Sequence, residues 1–556
     1  MRTHFRLIAL FVAATALALG ACSGDDGKDG TDGTAGAPGT PGVNGINCWD
    51  LNQNGVADID SEDIDKNGVV DVDDCRAPAG AYDPAGLHKG YFTEHAYTGT
   101  EQCLDCHGKI GDDVMTTGHW KWQGVSSNIT GFEAEEHGKA DLINNFCQAV
   151  PSNEGRCTQC HIGIGWKDKN FDFGNPKNLD CLACHDQTGT YKKAPTTAGA
   201  PDPTVDLQAV AKSVGTNAGV PPRSTCVFCH SRAGGDDNVK HGDISTDMIA
   251  TTREYDVHMG TDGANMTCVA CHQVKKDAEG NTLSHGIGGM AFHSVDEGVM
   301  KDCADCHGAA TSIHAGTTVQ SIVQSHDRLA CQVCHIPTIA RKVSTVVDWR
   351  WEQAGAGTAP ATCAPADPAV LPNRSSYSKQ KGCFVWQNNV RPVLRYFDGK
   401  WNRMMINTND GYTSLPVDLA SPTATYRTAG AMIYPFKLMV GNQPADKNFK
   451  AGKNTKTVLV PNLFGNATTD ADAYWVSFDW ARALASGAAY TQQEYSGEYE
   501  FVDTEMLLKV DHEVAPKEQA YGFGNVCTGC HAQGQIDWPA LGWPSDPIFG
   551  DVTRPQ

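Results

Sequence analysis

The sequence predicts a fold of short α-helices and irregular loops packed around bound groups in place of a conventional apolar core, interrupted by one long insertion containing some β-strand. Three observations predict it. Eight CxxCH units are present, seven of them crowded between residues 103 and 335. The intervals between those seven are short and rich in Gly, Asp and Pro, which leaves little room for long regular elements. The stretch from Val343 to Val502 carries no such unit but holds "VRPVLRYF" and "AMIYPFKLMV", which read as strands or packing segments.

Two cysteines three positions apart on one helical turn can both form thioethers to one porphyrin. The adjacent histidine then reaches the iron from the same side. A CxxC pair also suits zinc, but eight CxxCH units behind an export signal specify a multihaem cytochrome c with eight covalent haems. The anchors are Cys103/Cys106, Cys157/Cys160, Cys181/Cys184, Cys226/Cys229, Cys268/Cys271, Cys303/Cys306, Cys331/Cys334 and Cys527/Cys530. The proximal iron ligands are His107, His161, His185, His230, His272, His307, His335 and His531. Eight porphyrins supply much of the core, so folding is expected to depend on haem attachment.

The opposite axial positions separate an electron store from a substrate site, because an iron held by two imidazoles is closed. Eleven histidines lie outside the motifs and the leader, enough for eight irons without any lysine. The distal candidates are His95, His119, His241, His258, His285, His314, His326 and His512, together with Lys240.

The N-terminus reads as an export signal: Arg2 and Arg6, an apolar run from Leu7 to Leu19, then "LGAC" ending at Cys22. That ending resembles the lipobox of bacterial lipoproteins. It makes Cys22 the expected lipidation site and an outer-membrane anchor, periplasmic or cell-surface, the expected location. Residues 24–47 repeat Gly every third position from Gly24 to Gly45, the collagen period, here read as an extended stalk. Asp50, Asn52, Asn54 and Asp58, then Asp63, Asp65, Asn67 and Asp71, place oxygen ligands at alternating positions around Gly55 and Gly68. That spacing suits Ca2+, and Cys48 and Cys75 flank the module as a possible disulfide. Residues 24–80 hold thirteen acidic and three basic side chains, about half of the formal charge of -21. A solvated acidic tail of this kind disfavours nucleic-acid binding.

The resulting boundaries are a signal peptide over 1–21, anchor and stalk over 22–47, and the calcium-type module over 48–78. Haems one to seven occupy 85–345, the haem-free insertion 346–505, and haem eight 506–556. Cys363 and Cys383 fall in the insertion as a second candidate disulfide.

Several stretches occur in an order that resembles the octahaem tetrathionate-reductase-type cytochromes c. They are "TTGHWKW", "LINNFC", "RCTQCHIGIGWKDKNFDF", "DCLACHDQTGTYKK", "NVKHGD", "SHDRLACQVCHIPTIARK" and "EYEFVDTEMLLKVDHEVAPKEQA", spread over residues 117–520. The resemblance implies seven haems with two histidine ligands and one, the second in sequence, with lysine opposite its histidine. Here that haem is bound by Cys157, Cys160 and His161. Lys240 stands three residues after Asp237, matching the family's spacing, with Lys167, Lys169, Lys192 and Lys193 as alternatives. A free cysteine near this haem corresponds to Cys147. The implied activity is reduction of tetrathionate, or of nitrite or hydroxylamine, with Lys240, Asp237, Cys147 and His161 at the centre. Redox-partner cytochromes or quinol-linked donors would supply electrons to a small oxyanion substrate. The competing reading is a non-enzymatic cell-surface electron conduit, since anchor, stalk and calcium module exceed what a soluble reductase needs.

Overall fold

The computed structural model describes residues 58, 59, 70, 83–277, 282–289, 298–361, 363, 374–465, 470–521, 527–531, 536–548 and 550. Cys22, the Gly-X-Y stretch, the Cys48–Cys75 pair and every calcium candidate except Asp58 lie outside those residues. The chain divides into two compact units, Met1–Ala77 and Pro78–Gln556, and every element named here belongs to the second.

The haem-motif region is built from brief helices, as predicted. Helix α1 (Pro84–Glu94) begins where the Asp83 carboxylate accepts from the Gly86 N–H, with Pro84 at the first position where a missing N–H is harmless. Helix α2 (Glu101–Val114) carries the first motif and leaves helical geometry at His107, so a kink presents that imidazole. Helix α3 (Arg223–His230) carries the fourth motif, while the sixth and seventh sit on single turns, Cys303–His307 and Cys331–His335. Apolar clusters here are small, with three buried residues each around Trp122, Leu182 and Val227.

The insertion holds far more strand than its sequence suggested. Eight strands form one mixed sheet: β1 (Thr345–Arg350), β2 (Arg374–Ser378), β3 (Gly382–Gln387), β4 (Val393–Phe397), β5 (Trp401–Arg403), β6 (Val417–Pro422), β7 (Met432–Asp446) and β8 (Tyr499–Lys509). The order is β2-β3-β1-β7-β8-β6-β5, with β4 also on β7. The β7–β8 pair runs antiparallel from Phe436↔Lys509 to Asp446↔Tyr499, whereas β1–β7 and β6–β8 are parallel. The lower half of β7 is buried almost without break, because both of its faces are covered, which erases the two-residue alternation that marks a strand. Helix α4 (Trp480–Thr491) closes the large apolar cluster with Trp480, Ala483 and Leu484.

Cys363 and Cys383 form the candidate disulfide, closing a separation of 20 residues at the β3 end of the sheet. A crosslink of that span restricts the unfolded chain by about 3 kcal/mol. Cys363→Ser is expected to lower the unfolding free energy by about that amount, read from the denaturant midpoint under oxidising conditions; an unchanged midpoint contradicts it.

Candidate functional site

Six motif histidines face a second imidazole. The ring centres are 6.1 Å apart for His88–His107, 6.3 Å for His119–His230, 6.0 Å for His258–His307, 6.1 Å for His272–His512, and 6.2 Å for both His314–His335 and His326–His531. A transition metal bonded to two imidazole nitrogens at about 2 Å each sets the ring centres roughly 6 Å apart. Each pair therefore fits one iron, and the donor set is that of a haem with two histidine ligands.

The remaining nitrogens are held in a matching way. Nδ1 of His88, His314 and His326 lies 2.6, 2.7 and 2.9 Å from the carbonyl four residues earlier on the same helix. His272 Nδ1 donates to Gly288 O at 2.8 Å, His531 Nδ1 meets Asp546 at 2.9 Å, and His512 Nδ1 meets Asp243 at 3.3 Å. Fixing Nδ1–H on an acceptor fixes the tautomer and leaves Nε2 for a metal. His137 shows the opposite pattern, with both nitrogens occupied by Asp141 and Glu135.

Of the sequence candidates, His119, His258, His314, His326 and His512 thus stand opposite motif histidines. His95 does not: its ring stacks on Tyr91 at 4.4 Å and its Nδ1 meets the Tyr91 carbonyl. His241 is packed near Lys240, His230 and His512 without entering a pair. His88 takes a place absent from the candidate set; its signal was local, a histidine placed to bond its own helix four residues back. His285 is bound through Nδ1 to Asp113 at 2.9 Å and, after burial, is the group that most lowers the basicity of His185.

Motif cysteines also meet across motifs, which orders them in space. Cys103 lies against Cys181, Cys160 against Cys229, Cys226 against Cys268, and Cys303 against Cys331. Cys184 and Cys226, Cys271 and Cys306, and Cys334 and Cys530 lie close enough for their charges to interact. The motifs therefore run first, third, fourth, fifth, sixth, seventh, eighth, and the second branches from the fourth.

That branch is chemically distinct. His161 is 1 % exposed and, among the described residues, is paired with no other imidazole ring. Trp120, Trp122 and Trp166 enclose it at ring distances of 5.0, 5.4 and 4.9 Å, with Phe171 and Phe173 beyond. Its Nε2 lies 2.6 Å from the Trp120 carbonyl, and its buried Nδ1 has no partner. A bare buried nitrogen costs about 1–3 kcal/mol, and the Nε2 that other motif histidines leave for a metal is here turned to a carbonyl.

Lys240 is buried near the second motif's Cys160. Its Nζ lies 6.0 Å from the centre of the Phe146 ring, beside Cys147, and its charge interacts with Cys160. Burial, then Lys139 and Arg403, lower its amine to about 7, against 10.5 for a free lysine. Strand β7 sets the loop: buried Lys437 donates to the carbonyls of Val239 at 2.6 Å and Lys240 at 3.0 Å, and to the Thr345 hydroxyl at 2.6 Å. The same strand grips the Cys147 segment through Asn145 Nδ2 to Met439 O at 2.6 Å and Gln443 Nε2 to Asn144 O at 2.8 Å. Burial pushes the Cys147 thiol up, so it is neutral, and it sits near Cys157.

The other sequence candidates have different work. Asp237 accepts from the Thr246 N–H at 2.9 Å and its hydroxyl at 2.5 Å, so its carboxylate ties the loop that carries Lys240. Lys167, Lys169 and Lys192 are exposed. Lys193 is buried, pairs with Asp180 at 2.8 Å, and donates to the carbonyls of His161 at 2.5 Å and Gly163 at 3.0 Å. It holds the histidine's backbone. Lys193→Ala leaves Asp180 buried beside only Tyr191 and is expected to cost about 3–5 kcal/mol, measured by denaturant titration. A loss below about 1 kcal/mol contradicts the buried pair.

Sequence reasoning missed the cations around Lys240. Lys139 Nζ lies 3.9 Å over the Trp122 ring, and Arg403 on β5 is 2 % exposed. Burial brings the Arg403 guanidinium down to about 9, opposed by Asp418 and Asp141.

Comparison with known proteins agrees with this architecture. The family model of bacterial cytochrome c matches residues 346–534. The chain is 34 % identical to octahaem cytochrome c from Shewanella oneidensis, and the two structures superpose with a TM-score of 0.68 over 84 % of this chain and 99 % of that one. An uncharacterised protein of Archaeoglobus fulgidus is 23 % identical over 227 residues, 32 % of this chain and 73 % of its own length. Identity at that level across nearly the whole Shewanella protein is a family relationship, and the chain belongs to the octahaem cytochromes c, electron-carrying proteins with covalently bound haem c.

Proposed function

We propose that this octahaem cytochrome is a reductase of a small oxidised sulfur or nitrogen compound, tetrathionate first and nitrite or hydroxylamine next, acting at the second motif. The observation that carries this reading is the contrast between six paired motif histidines and His161, which stands in an aromatic enclosure at the end of a branch, with Lys240 buried near the same motif's Cys160. Motifs along the main path pass electrons; the branch receives them.

In this reading His161 and Lys240 would hold the iron of the branch haem, and His285 would serve with His185. A haem held there would deliver electrons one at a time, relayed from the neighbouring motifs' haems, and two are needed to cleave the central S–S bond of tetrathionate to two thiosulfates. An amine binds metal only when neutral, and burial beside Lys139 and Arg403 favours that form. An anion bound in the pocket would bring negative charge beside the amine. That charge raises the amine's pKa, so Lys240 takes up a proton and holds the anion as an ammonium. Lys139 and Arg403 supply fixed positive charge on the same side. Lys437 keeps the loop backbone in place while the Lys240 side chain moves.

The experiment is reoxidation of chemically reduced protein under anaerobic stopped flow. Tetrathionate, nitrite or hydroxylamine is expected to oxidise it at a rate saturating in substrate, and inertness towards all three overturns the reading. The signal-like leader supports export and tethering through lipidated Cys22, which mass spectrometry of the mature N-terminus checks. The acidic repeats before Cys75 support Ca2+ binding, read by calcium titration of the full chain.

A further inference from the structure

Glu154 opens the short helix Glu154–Cys157 that carries the first cysteine of the second motif. It is 4 % exposed, an expensive place for a carboxylate. One oxygen, Oε1, accepts from the Tyr490 hydroxyl at 2.7 Å, and the other, Oε2, is buried with no partner. The Tyr490 oxygen in turn accepts from the backbone N–H of Lys169, which is exposed, at 2.7 Å. The partly exposed Tyr490 hydroxyl thus links a buried carboxyl, one helical turn from the thioether anchor Cys157, to solvent. None of the ligand chemistry above uses it.

We propose that Glu154 is the proton acceptor that couples reduction of the haem anchored at Cys157 and Cys160 to uptake of one proton, with Tyr490 as its connection to solvent. The balance is simple. One electron from the redox partner converts that haem's iron from ferric to ferrous, one proton from water passes through Tyr490, and the Glu154 carboxylate becomes the acid. The charge added at the iron is thereby neutralised, which lowers the cost of reducing a buried centre.

The surroundings suit a group that titrates near neutrality. Burial raises the Glu154 carboxyl to about 7, and Asp168 pushes the same way while Tyr490 opposes it. The other charges facing it are Arg156 on its own helix, whose guanidinium is turned over Phe464 and Trp475, and Lys169, whose ammonium lies 5.4 Å over the Tyr490 ring. Cys157, the nearest titratable thiol, is consumed by thioether formation. The carboxyl's pKa is above its unfolded value, so holding it ionised opposes folding above that value; protonation on reduction relieves this cost.

Glu154 is a positioning residue, and the inference rests on the branch haem being anchored at Cys157 and Cys160, not on what it reduces. The test is a redox titration of the holoprotein between pH 5 and pH 9, following every haem, for wild type and Glu154→Gln. Wild type is expected to show one haem whose midpoint potential falls with pH around neutrality, with a slope approaching one proton per electron. In Glu154→Gln that slope disappears, the other haems are unmoved, and the carboxylic-acid C=O band is lost from the redox-difference infrared spectrum. Tyr490→Phe keeps the slope but slows re-equilibration after a pH jump. A slope unchanged in Glu154→Gln overturns the inference, whatever the substrate assays give. A slope lost in Glu154→Gln but retained in Lys240→Ala supports it even if the reductase reading fails.

Discussion

Lys240→Ala is expected to convert one of the low-spin ferric haem signals to high spin and leave the others untouched. It is also expected to reduce oxyanion turnover by about 10²-fold or more, the scale of losing a charged group at the reacting centre. The argument rests on the two sides of the branch haem. Alanine removes the amine whose acidity is tuned by burial, Lys139 and Arg403, and among the described residues no imidazole ring is paired with His161 to replace it. Lys240→Arg separates ligation from charge. A guanidinium stays protonated and cannot bind iron, so its spectrum should match the alanine variant while affinity for the anion is partly kept. His241→Ala is the neighbouring control and should leave every haem spectrum unchanged, since His241 enters no pair. If Lys240→Ala alters no haem signal, the lysine is not a ligand and the conduit reading gains.

The anchors and proximal ligands were legible because CxxCH is a local chemical unit whose spacing alone brings two sulfurs and one imidazole to one ring. Opposite ligands are not local. His512 meets His272 across the entire insertion, and only the folded chain shows it. His88 was within reach of sequence logic, for it sits on a helix capped by Asp83 and bonds Pro84 O, but that signal is shared by His95, which stacks on Tyr91 instead. Lys240 was visible through ordered family motifs, whereas Lys139, Lys437 and Arg403 were not. Each is a lone basic residue in sequence, and its burial follows from strand pairings made elsewhere. The sheet was underestimated for a related reason: β7 is covered on both faces, so its apolar run gives no alternation.

Chain produced without haem attachment is expected to split into a folded sheet and an unfolded remainder. The large apolar cluster has all but four of its buried members between Val346 and Leu508; Trp349 stacks on Trp351 and Tyr474 on Trp480, and Trp351 meets Trp480 edge to face. The motif region has only three-residue clusters, so its packing must come from porphyrins. Limited proteolysis of the haem-free chain should therefore leave a resistant fragment of roughly residues 340–510 with strand-type circular dichroism, while the motif region is digested. Digestion of the whole chain at one rate contradicts this division. Lys437 sharpens the test. In the complete protein its buried ammonium is satisfied by Val239 and Lys240, which belong to the part that unfolds, and by Thr345. Without haem it keeps one partner and weakens the sheet, since a buried charge stripped of its partners is destabilising. Lys437→Met should consequently stabilise the haem-free fragment. In the holoprotein the same change should loosen the Lys240 loop and broaden the branch haem's signal. Opposite effects of one substitution in the two forms distinguish a residue that holds the site from one that merely fills the sheet.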